Sequence, residues 1–455
     1  MSRTPVFLTL VLLAICIPST SQSLFDNIPG KTGSSYKTGG FIRSGIYINK
    51  PEKSPGIPVS FADFSLNAEA GDGSSYKAYA DVRYRYASEY GKGINSPSLR
   101  EAWAAWYTPY TEIRAGKQIV KWSNMDFFRL QDLAFPRNEL YRSFEPADKD
   151  LGNVVLSLSL KPSDIISLSA LLIPRFRSSV LYTEFMDIPD IVEISDYSRK
   201  KYTSLSYGLK AEIFLRNFSA NISFYDAYHP LPGLGLDSLS MSAGSTKPVV
   251  SISEKPFSIQ ALSAGLEFMP GNNILRMEAA WTRPDQDYRQ NENIILPEVQ
   301  WVAGIEHFFG QLRVILEYSG KYLLDYEEPV FDPTLPDESM LADLATIPPE
   351  QAFEFTRLQI ASFNRLYTYQ LDEYSHYAGL HLSYEKGMAT LSPALNILYS
   401  ITAEEYLLMP ELKIKPADNI KIVAGATIYK GKTNSLFDMI NNKLNSIYTG
   451  IRIDF

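Results

Sequence analysis

Cysteine is almost absent from this 455-residue chain, where Cys16 stands alone. It falls in the first 23 residues, which read as an export signal, so the processed chain is expected to carry no thiol. That excludes a disulfide framework, a thiolate metal site and a thiol nucleophile. Histidine is scarce too, with His229, His307, His376 and His381 making up the full set of 4. No His, Asp and Glu cluster has metal-ligand spacing, and no motif brings a nucleophile to a base. The chain is therefore expected to be no enzyme and to need no metal or cofactor. After the first 23 residues no apolar run reaches the length of a transmembrane helix. No block of basic residues stands out, and a net charge of −8 with mixed signs argues against a nucleic-acid partner.

What is present begins with the signal. Arg3 supplies a positive start, Val6 to Ile17 form an apolar stretch, and Pro18 breaks it. Ser21-Gln22-Ser23 offers small residues for cleavage near Ser23. Cys16 reads as part of the apolar stretch, because Leu13-Ala14-Ile15 lacks the small residue that lipid attachment requires just before the cysteine. The rest is rich in Tyr (29) and Phe (24), yet mean hydropathy is slightly negative. Many aromatics without a helical span fit a transmembrane β-barrel, where only one face of each strand meets lipid.

Alternation along the chain agrees. Tyr76, Ala78, Ala80, Val82, Tyr84 and Tyr86 share one face of a strand, and Lys77, Asp81, Arg83 and Arg85 the other. The pattern recurs at Ala62, Phe64, Leu66 and Ala68, at Phe218, Ala220, Ile222 and Phe224, and at Leu312, Val314, Leu316 and Tyr318. Ile315 is an exception on the polar face of the last of these. Short turns such as Gly71-Asp72-Gly73-Ser74 and Pro270-Gly271-Asn272-Asn273 alternate with long links over 122–152, 174–202, 228–258 and 323–376. Short turns at one end and long loops at the other are the asymmetry of outer-membrane barrels, with the turns periplasmic.

The expected fold is all-β, a transmembrane antiparallel up-and-down barrel of about 18 strands. Sixteen is the alternative if the strands holding Pro393 and Pro410 do not span, since proline removes a ladder donor. The expected organisation is a signal peptide over 1–23, a short lead over 24–37 and one barrel over 38–455.

The chain ends Ile451-Arg452-Ile453-Asp454-Phe455. This resembles the terminal signature of bacterial outer-membrane barrels, and the resemblance implies that Phe455 is read by the barrel-assembly machinery. A second segment runs Leu99-Arg100-Glu101-Ala102-Trp103, then Arg114-Ala115-Gly116-Lys117-Gln118, with Trp122 following. It is similar to a hairpin of porin-like families, alginate-export-type barrels among them. The loop after it carries Pro136-Arg137-Asn138, which departs from the Asn-Pro order of those families.

Strand parity places Arg43, Asp81, Arg83, Arg85, Glu112, Arg114, Gln118, Arg276, Glu278, Arg313, Glu317, His381, Glu411, Lys413 and Arg452 on the lumen side. Arg83, Arg85 and Arg114 form the densest basic group, with Lys117 a candidate fourth member. Such a group attracts anions, or it is neutralised by Asp81 and Glu112 and serves only the wall. The loop after residue 122 mixes Asp126, Arg129, Asp132, Arg137 and Arg142 with Phe127, Phe128, Phe135, Tyr141 and Phe144. A loop of this length and aromatic content is expected to fold into the barrel and narrow it, the alternative being a cap over the mouth. A helix is expected after Pro348-Pro349, and a short one over Ser435 to Leu444.

The function these features imply is a porin-like channel for diffusion or selective passage of small solutes. Two alternatives stay open. One is a narrowed or plugged barrel that moves a lipid-like molecule or exports a polymer, and the other is a surface adhesin. The expected location is the bacterial outer membrane, with its lipid and possible sister subunits as neighbours.

Overall fold

The structure is a computed structural model, and it describes residues 35–49, 56–72, 74–132, 135–180, 190–195, 205–241, 248–336, 338–344, 346–384 and 391–455. The signal segment 1–23, its cleavage point and the turn at 385–387 lie outside these. In chain order the strands are β1 (Ser35–Asn49), β2 (Gly56–Gly71), β3 (Tyr76–Glu89), β4 (Lys92–Tyr107), β5 (Thr111–Gln118), β6 (Asn153–Leu160) and β7 (Ile166–Arg175). Next come β8 (Val192–Ser195), β9 (Ser206–Leu215), β10 (Phe218–Tyr228), β11 (Gly233–Met241), β12 (Pro248–Lys255), β13 (Ser258–Phe268) and β14 (Asn273–Pro284). The last are β15 (Glu298–Phe309), β16 (Leu312–Leu323), β17 (Tyr374–Tyr384), β18 (Leu391–Ser400), β19 (Glu405–Ala417), β20 (Ile420–Lys430) and β21 (Ser446–Asp454). Helices are α1 (Glu338–Leu344), α2 (Pro349–Tyr367) and α3 (Leu436–Leu444).

Among the described residues, 18 strands form one antiparallel sheet, each pairing with its chain neighbour once β8, β11 and β12 are set aside. β21 pairs back onto β1, Ile42 opposite Ile453, so the sheet closes. Gly40 and Phe455 exchange backbone hydrogen bonds of 2.9 and 3.0 Å at the seam. Closure removes both open edges, which is what lets strands span a membrane. Both proline-bearing strands belong to the wall, Pro393 opposite Leu412 and Pro410 opposite Leu395.

The outer face is apolar and carries aromatic rings at two levels. Tyr84, Tyr86, Tyr207, Trp281, Tyr318 and Tyr399 are exposed toward one end. Tyr76, Trp106, Phe268, Phe309, Tyr384 and Phe455 are exposed toward the other. Two such girdles mark the interfaces of a bilayer. The end with short turns is held by local polar chemistry. There the Asp72 carboxylate accepts the N–H groups of Ser74, Ser75 and Tyr76 at 2.9, 2.6 and 3.1 Å.

Every long connection emerges at the opposite end. There β8, β11 and β12 make a separate three-stranded sheet in stretches that read as loop in the sequence. Val192, Leu234, Leu236, Val250 and Ile252 of that sheet share a buried apolar core with Ile360 and Phe363 of α2 and Phe437 and Ile440 of α3. α2 starts on Pro349, which lacks the N–H that a first turn leaves unpaired anyway. The loops thus bury a dry core of their own and cap the mouth.

Candidate functional site: the barrel lumen and its inserted loop

The connection between β5 and β6, residues 119–152, turns into the barrel, and wall side chains hold it along its length. Glu317 of β16 accepts the backbone N–H groups of Asp126, Phe127 and Phe128 at 2.7, 3.0 and 3.2 Å. Glu278 of β14 accepts the Ser123 hydroxyl at 2.9 Å and the Asn124 N–H at 3.0 Å. Lys210 of β9 donates to the Trp122 carbonyl at 3.0 Å, and the Tyr225 hydroxyl of β10 to that of Gln131 at 2.9 Å. A loop carries backbone donors that a helix or sheet would satisfy, and here wall carboxylates satisfy them.

Rings from the loop seat on wall glycines. Phe127 covers Gly379, where a Cβ would come within 2.6 Å of the ring, and Phe144 lies against Gly450 in the same way. Phe144 also packs with Phe61 of β2, ring centres 6.1 Å apart. Burying one such ring stabilises the inserted state by roughly 1.5–3 kcal/mol.

The far limb of the loop is held by charge. The Asp148 carboxylate accepts from Arg43 of β1, from Arg83 of β3 at 2.6 Å, from Arg100 of β4 at 3.0 Å and from the Ser143 hydroxyl at 2.6 Å. Burial alone would raise the Asp148 pKa, but Arg43 and Arg83 outweigh it and hold the group below the ordinary carboxylate range. Arg43 also pairs with Asp63 at 2.8 Å, and Arg85 bridges Asp63 at 3.0 Å and Glu89 at 2.6 Å. Arg142 of the loop donates to the Tyr90 hydroxyl and to the Leu444 carbonyl, both at 3.0 Å, so it ties the loop to the cap. Glu145 reaches Lys421 of β20 at 3.0 Å and Arg452 of β21 at 3.8 Å.

The residues picked from sequence therefore divide. Arg43, Asp81, Arg83, Arg85, Glu317 and Arg452 meet the inserted loop or each other. Arg114 stands apart, paired with Glu112 at 2.5 Å and lying 4.2 Å over the Trp103 ring. Gln118 is buried and donates to the Val155 carbonyl at 2.9 Å, and Arg313 pairs with Glu306 at 2.6 Å. Arg276 also reaches Glu306, at 2.8 Å. His381 bonds Asn396 at 2.7 Å, and Lys413 bonds Glu411 at 2.7 Å. Arg83, Arg85 and Arg114 do not form one basic group, since each has its own acid.

Lys117 is not a lumen residue. It lies opposite Val154, an exposed residue of the outer face. Conversely Arg100, which alternation would turn outward, points inward. A bulge sets Asp81 opposite Glu101 and Val82 opposite Leu99, and Arg100 is the extra residue. Period-2 reading carries no signal for such an insertion.

Between the loop and the cap lies a vestibule of about 420 Å³. The loop side presents Lys121, Arg129 and Arg137, gathered on Asp150 at 2.6, 4.0 and 3.7 Å. The wall side presents Glu298 and Lys321, paired at 2.9 Å. His229 lines it as well, its pKa pushed down by burial. Asp132 of the loop has its pKa raised by burial even though it accepts the N–H groups of Trp122 and Ser123. Among the described residues no group of His, Cys, Asp and Glu is arranged to hold a metal ion.

No family model matches the chain, and no curated protein matches it in sequence. Solved structures do resemble it. OccK3 (OpdO) of Pseudomonas aeruginosa superposes with a TM-score of 0.52 at 9% identity, over 92% of this chain and 95% of that one. OccAB3 of Acinetobacter baumannii gives 0.51 at 8% identity, over 92% and 99%. OccK2 (OpdF) of P. aeruginosa, solved in complex with glucuronate, gives 0.51 at 9% identity, over 92% and 97%. At these identities the likeness concerns architecture, and the chain has the closed 18-stranded barrel fold of a porin-like outer-membrane protein.

Proposed function

We propose that the chain is a narrow, substrate-selective channel that passes small charged solutes across the outer membrane. The observation that carries this reading is the inserted loop. It restricts the lumen and leaves above it a vestibule in which charged side chains stand among apolar ones. In the vestibule Lys121, Arg129, Arg137 and Lys321 are matched in number by Asp132, Glu139, Asp150 and Glu298. Fixed charge of both signs in a confined space favours solutes that carry charge or strong dipoles over apolar ones. A neighbour of the same fold was solved in complex with glucuronate, a small charged solute. No catalytic step is assigned to the chain. Export through the segment 1–23 and recognition of the Phe455 strand by the assembly machinery complete the reading.

The test is single-channel recording of refolded protein in a planar bilayer under a salt gradient. Discrete conductance steps are expected, with a reversal potential that moves when vestibule charges are removed. A folded barrel that stays silent would overturn the reading.

A further inference from the structure

The outer wall carries a feature that solute passage does not use. Lys117 of β5 and Arg175 of β7 both lie opposite Val154 of β6, on the outward side. Arg177, just beyond β7, is exposed and acts electrostatically on Lys117. Lys117 donates to the Leu99 carbonyl. Among the described residues neither Arg175 nor Arg177 pairs with a carboxylate. In the strand register the outward acid on this wall is Asp226 of β10, two strands from β7, and the Tyr207 hydroxyl donates to it at 3.4 Å. Tyr207 lies opposite Leu172, a little nearer the membrane centre than Arg175. An outward tyrosine marks the interface, so the three cations stand at headgroup level.

Below them the same wall is hollowed. Leu158, Ala170, Leu209 and Phe224 form one outward row across β6, β7, β9 and β10. Leu160, Leu168, Ala211 and Ile222 form the next. The two alanines are the small members, and they floor an apolar groove of about 420 Å³. Along β7 the groove lies roughly 17 Å from Arg175 at ~3.4 Å per residue, on the scale of one leaflet of a ~30 Å hydrocarbon core.

We infer that this face binds a phosphorylated lipid of the outer leaflet, phosphate on Lys117, Arg175 and Arg177 and acyl chain in the Ala170–Ala211 groove. Charge complementarity commits the site to this occupant. A second copy of the chain would seat in the groove without needing three cations at its upper end, and a free anion would need no groove. Guanidinium forks and an ammonium are the groups that hold phosphate oxygens. The orientation rests on the outer-membrane reading given above, with the long loops outside.

The experiment is native mass spectrometry of the full barrel in detergent with three probes: diphosphorylated lipid A, the same lipid dephosphorylated, and inorganic phosphate. Wild type is expected to retain the diphosphorylated lipid at least tenfold better than the dephosphorylated form and to retain no inorganic phosphate. The triple variant K117Q/R175Q/R177Q should lose that preference. Ala170→Trp with Ala211→Trp should lower lipid retention severalfold with the cations intact. Equal retention of both lipids, retention of phosphate alone, or a dimer dispersed by the two tryptophans would each overturn the inference. Resistance of the barrel to unfolding by detergent without heating checks that each variant folds. Conductance of the same variants should match wild type. A silent wild type that still selects the phosphorylated lipid would defeat the channel reading and leave the lipid site standing.

Discussion

Glu317 and Phe127 are 190 residues apart in sequence, yet the carboxylate of one accepts the backbone N–H of the other at 3.0 Å inside the barrel. With the bonds to Asp126 and Phe128, that carboxylate fixes the tip of the inserted loop to β16. Hydrogen bonds to a charged group contribute about 1.5–3 kcal/mol each. Glu317→Ala should free the tip and leave the barrel closed. Single-channel conductance is then expected to rise about twofold or more, with noisier open levels. Unchanged current would show that the tip does not set the width.

Asp148 gives a prediction with a pH sign. Its pKa in the fold is lower than in the unfolded chain, because Arg43 and Arg83 overcome the cost of burial. A depressed carboxylate stabilises the fold above its unfolded pKa of about 3.9, and the contribution fades as pH falls through the lower folded value. Asp148→Asn leaves three buried or half-buried arginines short of a charge. A loss of about 3–5 kcal/mol is expected near neutrality. Guanidinium unfolding of wild type and variant across pH should show that gap holding at pH 7 and shrinking below roughly pH 4.

Asp150 is the acid on which Lys121, Arg129 and Arg137 converge. Asp150→Asn should leave the vestibule with one more cation than acids and shift the reversal potential toward anions. Lys121→Gln should shift it the other way. Opposite signs for the two variants are the diagnostic result, and equal signs would mean that ions bypass the vestibule.

Ile360 is fully buried between α2 and the loop sheet. Ile360→Ala should cost about 2–5 kcal/mol of cap stability, by lost transfer energy and a cavity. Hydrogen exchange should then rise in α2 and α3, while the wall strands keep their protection. Faster exchange in the wall strands would show that cap and barrel unfold together.

The wall was legible because one lipid face and one lumen face impose a strict alternation. That rule alone puts Arg43 and Glu317 inside and Ile222 outside. It fails where a bulge inserts a residue, which sends Arg100 inward. Lys117 was misplaced for another reason, as proximity in sequence to Arg114 outweighed its parity. α2 could be foreseen from Pro348-Pro349. The strands β8, β11 and β12 could not, since their partners lie in different loops. The anchoring of the inserted loop was equally hidden. Nothing local to Glu317 or Glu278 distinguishes a carboxylate that binds backbone from one that lines water.

The seam between β1 and β21 bears on how the molecule is made. These strands pair Phe41 with Asp454, a separation of roughly 400 residues, so this ladder has the longest loop to close. Every other wall pairing joins strands that follow one another within a few tens of residues. Hairpins can accumulate in order, and the ring joins last. Until it does, the half-assembled sheet has two raw edges able to template onto other chains. Asp148 of the loop is held by β1, β3 and β4 on one side of the seam and Glu145 by β20 and β21 on the other, so the loop gains its full set of partners only when the seam has closed. Weakening the seam should therefore leave an intermediate with formed strands, an unlocked loop and a tendency to aggregate.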